Sequence, residues 1–367
     1  MIGNIYLVGG AVRDKILNTP SHDRDWVVTG SSPENLLAAG FTPVGADFPV
    51  FLHPETKEEY ALARTERKTG AGHKGFDVYF DQSVTLEEDL SRRDLTINSI
   101  AMDSDGNFID PFNGQEDLKN GILKHVGVAF SEDPLRILRV ARFNAKFPTF
   151  TVHPSTTTLM KTMVANGALT EISGERLFNE CVKALSTSAP WKFFETLHDV
   201  GGDEIVFGGS CDVLNIQKAL SMPGVSSLPP EWIMALAFSR SGLSQARLES
   251  TAIRQKWPND FSQSLRLVSF LESSFMQPPH DGAKLYQLAK QADAFRRPER
   301  FIQFLQAIKT QTDIDITPII NAVSAVKNIH LEAALANVPN HKKNEQADRL
   351  KCECFSASFN QNKLKLY

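Results

Sequence analysis

Short apolar runs broken by turn residues fill the first third of the chain. Residues 5–8, 26–29, 51–53, 59–63, 76–80 and 108–109 each read as a strand bounded by Gly, Pro, Asn or Asp. Helical spacing interrupts them at residues 11–17, 33–39 and near 95–102. Such alternation predicts an α/β or α+β unit built on a small mixed sheet. From about residue 130 onward strands become scarce and a 3.6-residue period takes over, as at 134–147, 175–185, 232–238 and 285–295. The later part is therefore expected to be all-helical, with seams at 186–190 and in the Pro/Gly/Ser-rich stretch 222–230.

Composition narrows the class. A chain of 367 residues exceeds one average domain. Its 42% hydrophobic and 22% charged content argues against wholesale disorder. No apolar run reaches the ~18 residues of a membrane span, and the opening residues lack a basic, uninterrupted leader. Four scattered cysteines make no disulfide framework, and no His/Cys partner set completes a zinc site with Cys352 and Cys354. A reduced, cytoplasmic chain is expected. The formal charge of −4 does not announce a nucleic-acid binder, yet phosphate contacts need only a local basic surface.

Four constellations carry candidate chemistry. In Leu7-Val8-Gly9-Gly10-Ala11-Val12-Arg13-Asp14 a strand ends in two glycines and a helix begins. This is either a tight turn or a place where backbone approaches a phosphate closely, with Arg13 adding a charge-assisted fork. In Asp23-Arg24-Asp25 two carboxylates at i and i+2 project to one face at a strand mouth. They form either a solvated turn or a pair whose repulsion a divalent cation relieves. Arg92-Arg93-Asp94 precedes an apolar pattern, suiting a triphosphate clamp in which the aspartate orients a guanidinium, or a charged helix start. Finally, Asp133-Pro134 opens a helix whose Arg136, Arg139 and Arg142 recur one turn apart, beside an apolar stripe of Leu135, Leu138, Ala141 and Ala145.

Together, the glycine turn and the following acid pair resemble the nucleotidyltransferase superfamily of polymerase-β-like fold. There a third acid comes from a later strand. Glu59 is the candidate here, with Glu66 behind it and an edge-strand surface glutamate as the competing reading. All four stretches, with Asp110-Pro111-Phe112-Asn113-Gly114 and Asp117-Leu118, follow the order and near spacing of class II tRNA nucleotidyltransferases, the bacterial CCA-adding enzymes. The resemblance is dense over residues 4–150 and thins through about 200.

That resemblance implies an α+β nucleotidyltransferase head (residues 1–128), a helical neck with a nucleotide-selecting motif (129–200) and a helical body and tail for tRNA (201–367). Asp23 and Asp25 match Mg2+ ligands and, with Glu59, form the catalytic set. Gly10, Arg13, Arg93, Asp94 and Arg139 match nucleotide-contacting positions. Asp133 and Arg136 match a protein template, in which the carboxylate accepts from the exocyclic amine of cytosine or adenine and the guanidinium donates to ring acceptors. Residues 69–75 fall in a loop linked to switching from CTP to ATP.

The implied partners are the tRNA acceptor arm and 3′ end, with CTP and ATP as substrates and no membrane; the oligomeric state is unknown from the sequence, a monomer being favoured. In the C-terminal half Lys342, Lys343, Lys363 and Lys365 are candidate phosphate contacts, with solvated surface lysines the competing reading. Longer relatives carry a phosphohydrolase domain marked by a His-Asp pair. Residues 237–242 hold none, and neither His198-Asp199 nor His280-Asp281 has spaced His/Asp partners, so no phosphohydrolase activity is expected. The expected activity is template-independent CCA addition. Its rivals are a poly(A) polymerase, a partial CC- or A-adding enzyme, and a catalytically silent RNA-binding protein.

Overall fold

Two antiparallel strands, β1 (Asn4–Val8) and β2 (Asp25–Thr29), pair from Asn4 opposite Thr29 to Val8 opposite Asp25, with α1 (Gly10–Ile16) between them in sequence. The computed structural model describes residues 2–21, 24–44, 50–68, 76–79, 81–276 and 281–363. Its contacts divide the chain into two units, Met1–Ser210 and Cys211–Tyr367.

The first unit continues through α2 (Pro33–Ala38), β3 (Thr42–Val44), β4 (Val50–Leu52), β5 (Glu59–Leu62), β6 (Thr65–Lys68) and β7 (Phe76–Tyr79). Then follow α3 (Leu86–Ser91), β8 (Ala101–Met102), β9 (Phe108–Ile109) and α4 (Gly114–Asn120). A mixed sheet runs in the order β3-β4-β5-β2-β1-β8-β9, with β2 and β5 parallel, while β6 and β7 form a separate hairpin.

Both faces of the large sheet are covered. Val8, Val27, Ala63 and Ala101 pack with Leu90 of α3 and with Val84, which precedes that helix; Val28, Phe51, Tyr60 and Leu62 pack with Leu36 and Phe41. The two-residue period of a strand puts Val27 and Val28 on opposite sides. It therefore also fixes Asp25, two residues before Val27. Asp25 and Glu59 are register partners on parallel strands and so share one face.

One predicted helix is absent. Residues 96–98 form a single 3-10 turn, and β8 follows. Polar side chains offer the backbone alternatives to a helix there. Asn98 Nδ2 donates to Asp94 Oδ1 (2.9 Å), Thr96 Oγ1 to Asp117 Oδ2 (2.6 Å) and Ser99 Oγ to the Leu95 carbonyl (3.0 Å).

The rest of the unit holds β10 (Ile122–Leu123), α5 (Leu135–Lys146), β11 (Thr151–Val152), α6 (Pro154–Ala165), α7 (Gly174–Leu185), α8 (Trp191–Asp199) and α9 (Asp203–Phe207). Helix α5 packs on α7 and α8. Its Ile137, Leu138, Val140 and Ala141 are buried with Leu177, Cys181, Phe193, Phe194 and Leu197. The apolar stripe thus faces neighbouring helices, which leaves the arginine positions for another side.

Among its described residues the second unit has helices and no strand: α10 (Val213–Leu220), α11 (Pro230–Ser239), α12 (Gln245–Arg254), α13 (Asn259–Met276), α14 (Gly282–Gln291), α15 (Pro298–Gln311), α16 (Thr317–Lys327), α17 (Leu331–Ala334) and α18 (Lys343–Lys363). Helix α11 buries every residue from Trp232 to Phe238 and packs on α13 and α15. No helix among the described residues is long and apolar enough to cross a membrane. The Trp232 ring lies 6.1 Å from that of Phe304, which is fully buried. Phe304→Ala should therefore destabilise the protein by about 3–5 kcal/mol, read as a lower urea midpoint; an unchanged midpoint would contradict this packing.

Candidate nucleotide site

The turn after β1 sets the site's floor. Gly9 has φ 69°, in the left-handed region, and a Cβ built there would lie 3.0 Å from Arg93 Nη1. Glycine therefore supplies both the conformation and the room for the guanidinium.

Around this turn the first unit has a cavity of about 940 Å3. Gly10, Arg13, Asp25, Arg93, Asp94, Asp133, Arg136 and Arg139 all line it. Of the residues predicted from sequence, Glu59 is not in that lining, and Asp23 lies outside the described residues, as does the loop 69–75. Nine basic side chains line the cavity against four carboxylates, in a chain of formal charge −4. The basic surface is local, and the acids that offset it lie elsewhere.

Buried acids fix the cations. Arg13, 4% exposed, donates through Nε to Asp14 Oδ1 (2.8 Å) and through Nη1 to Asn98 Oδ1 (2.6 Å). Asp89 is fully buried on α3 and accepts from Arg92 (2.8 Å) and Arg93 (3.1 Å). Burial pushes the Asp89 carboxyl up, but the two guanidiniums outweigh this and hold it below the ordinary range. Asp89, not Asp94, thus orients the adjacent arginines. Arg93 Nε is buried and has no hydrogen-bond partner among the described residues.

Asp94 instead reaches across to α5, where Arg139 Nε donates to its Oδ2 at 2.7 Å. Its other oxygen accepts from Asn98 and from the Leu95 N–H (2.8 Å). Burial raises the Asp94 pKa, yet Arg139 and these donors bring it down to about 2.

The arginine stripe of α5 is held at every turn. Arg136 donates to the carbonyls of Ala129 (2.6 Å) and Arg92 (2.5 Å). Arg142 donates to Glu180 on α7 (2.7 Å). The Phe143 ring has the guanidinium carbons of Arg142, Arg13 and Arg139 at 4.7, 5.4 and 5.8 Å from its centroid, a cation–π arrangement that tolerates their proximity. Asp133 Oδ1 accepts from the Leu135 N–H (3.1 Å), and its Oδ2 accepts from Arg176 of α7 (2.8 Å).

Asp89, Asn98, Arg142, Phe143 and Arg176 were not among the predicted site residues. Asp89 stands three and four residues before the arginine pair, a helical spacing that could have found it. Arg142 continues the stripe. Arg176 meets Asp133 over a separation of 43 residues, and no local pattern reports that.

Asp25 and Glu59 offer only oxygen, which suits a hard divalent cation. No group of three or more His, Cys, Asp or Glu side chains able to hold a metal occurs among the described residues. His198 Nδ1 lies 2.8 Å from Asp203 Oδ2.

Fold and cavity define a nucleotidyltransferase head followed by helices. Residues 5–124 match the family described as "Poly A polymerase head domain", and residues 149–207 match "Probable RNA and SrmB- binding site of polymerase A". The chain is 43% identical over 333 residues to a CCA-adding enzyme of Coxiella burnetii (strain RSA 331), covering 89% of this chain and 88% of that protein. A Multifunctional CCA protein of Nitrosococcus oceani is also 43% identical, with 83% of each chain covered. The chain belongs to the CCA-adding enzyme family. A solved CCA-adding enzyme in complex with CTP shares the fold, with a TM-score of 0.71 at 21% identity over 96% of this chain and 87% of that one.

The depressed Asp94 pKa has a definite sign. A carboxyl at about 2 in the folded state and near 3.8 unfolded stabilises the fold above pH ~4 and loses that contribution as pH falls through 2. The shift corresponds to about 2 kcal/mol. Asp94→Asn should remove this part of the acid dependence in urea titrations between pH 4 and 2. Parallel acid profiles for the variant and the native protein would contradict the Arg139 pairing.

Proposed function

We infer that the protein adds C, C and A to the 3′ end of tRNA without a nucleic-acid template, using CTP and ATP and releasing pyrophosphate. The observation that carries the reading is a cavity with nine basic side chains and a strand-mouth carboxylate, in a member of the CCA-adding family. A poly(A)-type or partial enzyme finds less support, because relatives matched over most of the chain are named for CCA addition. We assign the chemistry to residues 1–128, nucleotide selection to 129–200 and tRNA binding to 201–367, in the cytoplasm.

In this reading Arg13 and Arg93 receive the triphosphate. Both are already oriented, Arg13 by Asp14 and Asn98 and Arg93 by Asp89, so little side-chain freedom is lost on binding. Gly10 lets the nucleotide approach the backbone. Asp94 acts through Arg139, which it holds toward the cavity.

Asp133 accepts from the exocyclic amine of cytosine or adenine. Each of its oxygens makes one of the hydrogen bonds described above, and a carboxylate has about four acceptor sites. Arg136 donates to the ring acceptors, which requires it to share or exchange a donor now given to the Ala129 or Arg92 carbonyl. An unmatched buried group costs about 1–3 kcal/mol, which disfavours uracil and guanine.

Asp23 and Asp25 would hold Mg2+, and Glu59 is the third acid beside them. The shared face of Asp25 and Glu59 and their all-oxygen donor set support this fit. When bound, the ion supplies a lowered pKa for the RNA 3′-hydroxyl and neutralises charge on the departing pyrophosphate.

Asp25→Ala should lower nucleotide incorporation by on the order of 10³ while tRNA binding persists; retained turnover would contradict the assignment, and a silent RNA-binding protein would be indifferent. Incubating tRNA lacking its last three nucleotides with CTP alone should append two C residues, and CTP with ATP should append CCA, as read by product sequencing. Long A tracts, or A without preceding C, would overturn the proposed function.

A further inference from the structure

Helix α5 ends in a lysine whose charged neighbours are mostly cations. Lys146 lines the nucleotide cavity with a side chain 40% exposed, and the function proposed above gives it no role. Arg13 of α1 and Arg142, one turn earlier on α5, line the same cavity. Two stacked rings carry the three cations. Arg13 Cζ and Lys146 Nζ lie 5.3 and 5.2 Å from the Phe147 centroid, and the parallel Phe143 ring holds Arg13 and Arg142.

One carboxylate serves both Arg13 and Lys146. Asp14 Oδ1 takes the Arg13 guanidinium at 2.7 Å, while Oδ2 lies 3.7 Å from Lys146 Nζ, too long for a hydrogen bond. Lys183, the other lysine of the cavity, instead donates to Glu180 Oε1 at 3.3 Å. An amine placed like Lys146 gives up its proton more readily than a surface lysine. Burial and the Arg13 guanidinium push its pKa down, Asp14 pulls it up, and Arg142 adds to the fall, with a net lowering. The unprotonated amine is a nucleophile.

The same cations select the reagent. Guanidiniums fork onto phosphate oxygens, so an acyl group carried on phosphate would dock with its phosphate on Arg13 and Arg142 and its carbonyl toward Lys146. A neutral acyl donor gains nothing from that flank.

We propose that Lys146 is a site of covalent acylation by acyl phosphates, the mixed anhydrides of a carboxylic acid and phosphoric acid. The neutral Nζ attacks the acyl carbon. A C–N amide bond forms and the C–O bond to phosphate breaks. Phosphate leaves with that bonding pair and takes up the proton lost from Nζ, so no further reactant is needed. Arg13 and Arg142 stabilise the departing charge. The amide product carries no charge, so the cavity loses one of its nine cations and binds phosphate chains less tightly. That this slows nucleotide addition rests on the function proposed above; the acylation itself does not.

The test treats the native full chain with acetyl phosphate and, separately, with uncharged acetic anhydride, and reads acetylation at each lysine by peptide mass spectrometry. With acetyl phosphate, Lys146 should react about tenfold faster than Lys183, because docking concentrates the reagent beside it. Inorganic tripolyphosphate should suppress that reaction, and the preference for Lys146 should shrink with acetic anhydride. Equal rates at the two lysines would overturn the proposal, as would a Lys146 rate indifferent to tripolyphosphate or a preference just as strong with the anhydride. Lys146→Gln mimics the neutral product and Lys146→Arg keeps the charge. The glutamine variant should bind tripolyphosphate about tenfold more weakly, with the arginine variant close to native; native affinity in both would contradict the loss of cavity charge. Incorporation assays report separately on the proposed function: a native chain that adds no nucleotides to tRNA, yet shows tripolyphosphate-protected acetylation at Lys146, would fail that reading and retain this one.

Discussion

Like charge must be held together before anything can bind between it. The nucleotide cavity concentrates basic side chains at a density that would repel the chain from this conformation were each cation not tied to a fixed acceptor. Asp14, Asp89, Asp94 and Glu180 provide those ties, each with little or no exposure. These acids are desolvated and sit directly against guanidiniums, so the pairs are preorganised and not merely attractive. The surplus of positive charge then faces the cavity, where a polyanion can neutralise it.

The same ties assemble the first unit. Arg13 meets Asn98 over 85 residues of sequence, Asp94 meets Arg139 over 45, and Arg142 meets Glu180 over 38. Helix α1, the segment from Asp94 to Asn98, α5 and α7 are therefore joined through polar and charged groups, most of which also line the cavity. The backbone carbonyl of Arg92 extends this linkage by accepting from Arg136, which connects the arginine pair under the glycine turn to the predicted base-reading position. The proposed phosphate contacts and the proposed base-reading position consequently share one scaffold.

The sequence made much of this readable. Periodicity separated the mixed-sheet head from the helical remainder because a short continuous apolar run at Val27 and Val28, buried on both faces, and helical spacing at Leu138 and Ala141 report burial directly. Motif chemistry located eight of the cavity's lining residues because Gly-Gly, Arg-Arg-Asp and the arginine stripe are local patterns. What stayed hidden was pairing at a distance. Asp94, adjacent to the arginine pair, looked like its orienting acid, whereas Asp89 fills that role and Asp94 serves Arg139. The helix expected near residues 95–102 failed because Thr96, Asn98 and Ser99 satisfy backbone and neighbours through their side chains, a competition that apolar spacing does not register. Glu59, chosen for its place on a later strand, does not line the cavity; its register opposite Asp25 emerges only once the sheet is built.

The claim that buried carboxylates preset the cavity's cations for a triphosphate is tested most directly by calorimetric titration of CTP, ATP and inorganic tripolyphosphate into the native protein and into Asp89→Asn. Loss of the buried acid frees Arg92 and Arg93 together, so the account predicts that all three ligands lose affinity by one common factor, about tenfold. Unchanged affinities, or a loss confined to one of the two nucleotides, would contradict it.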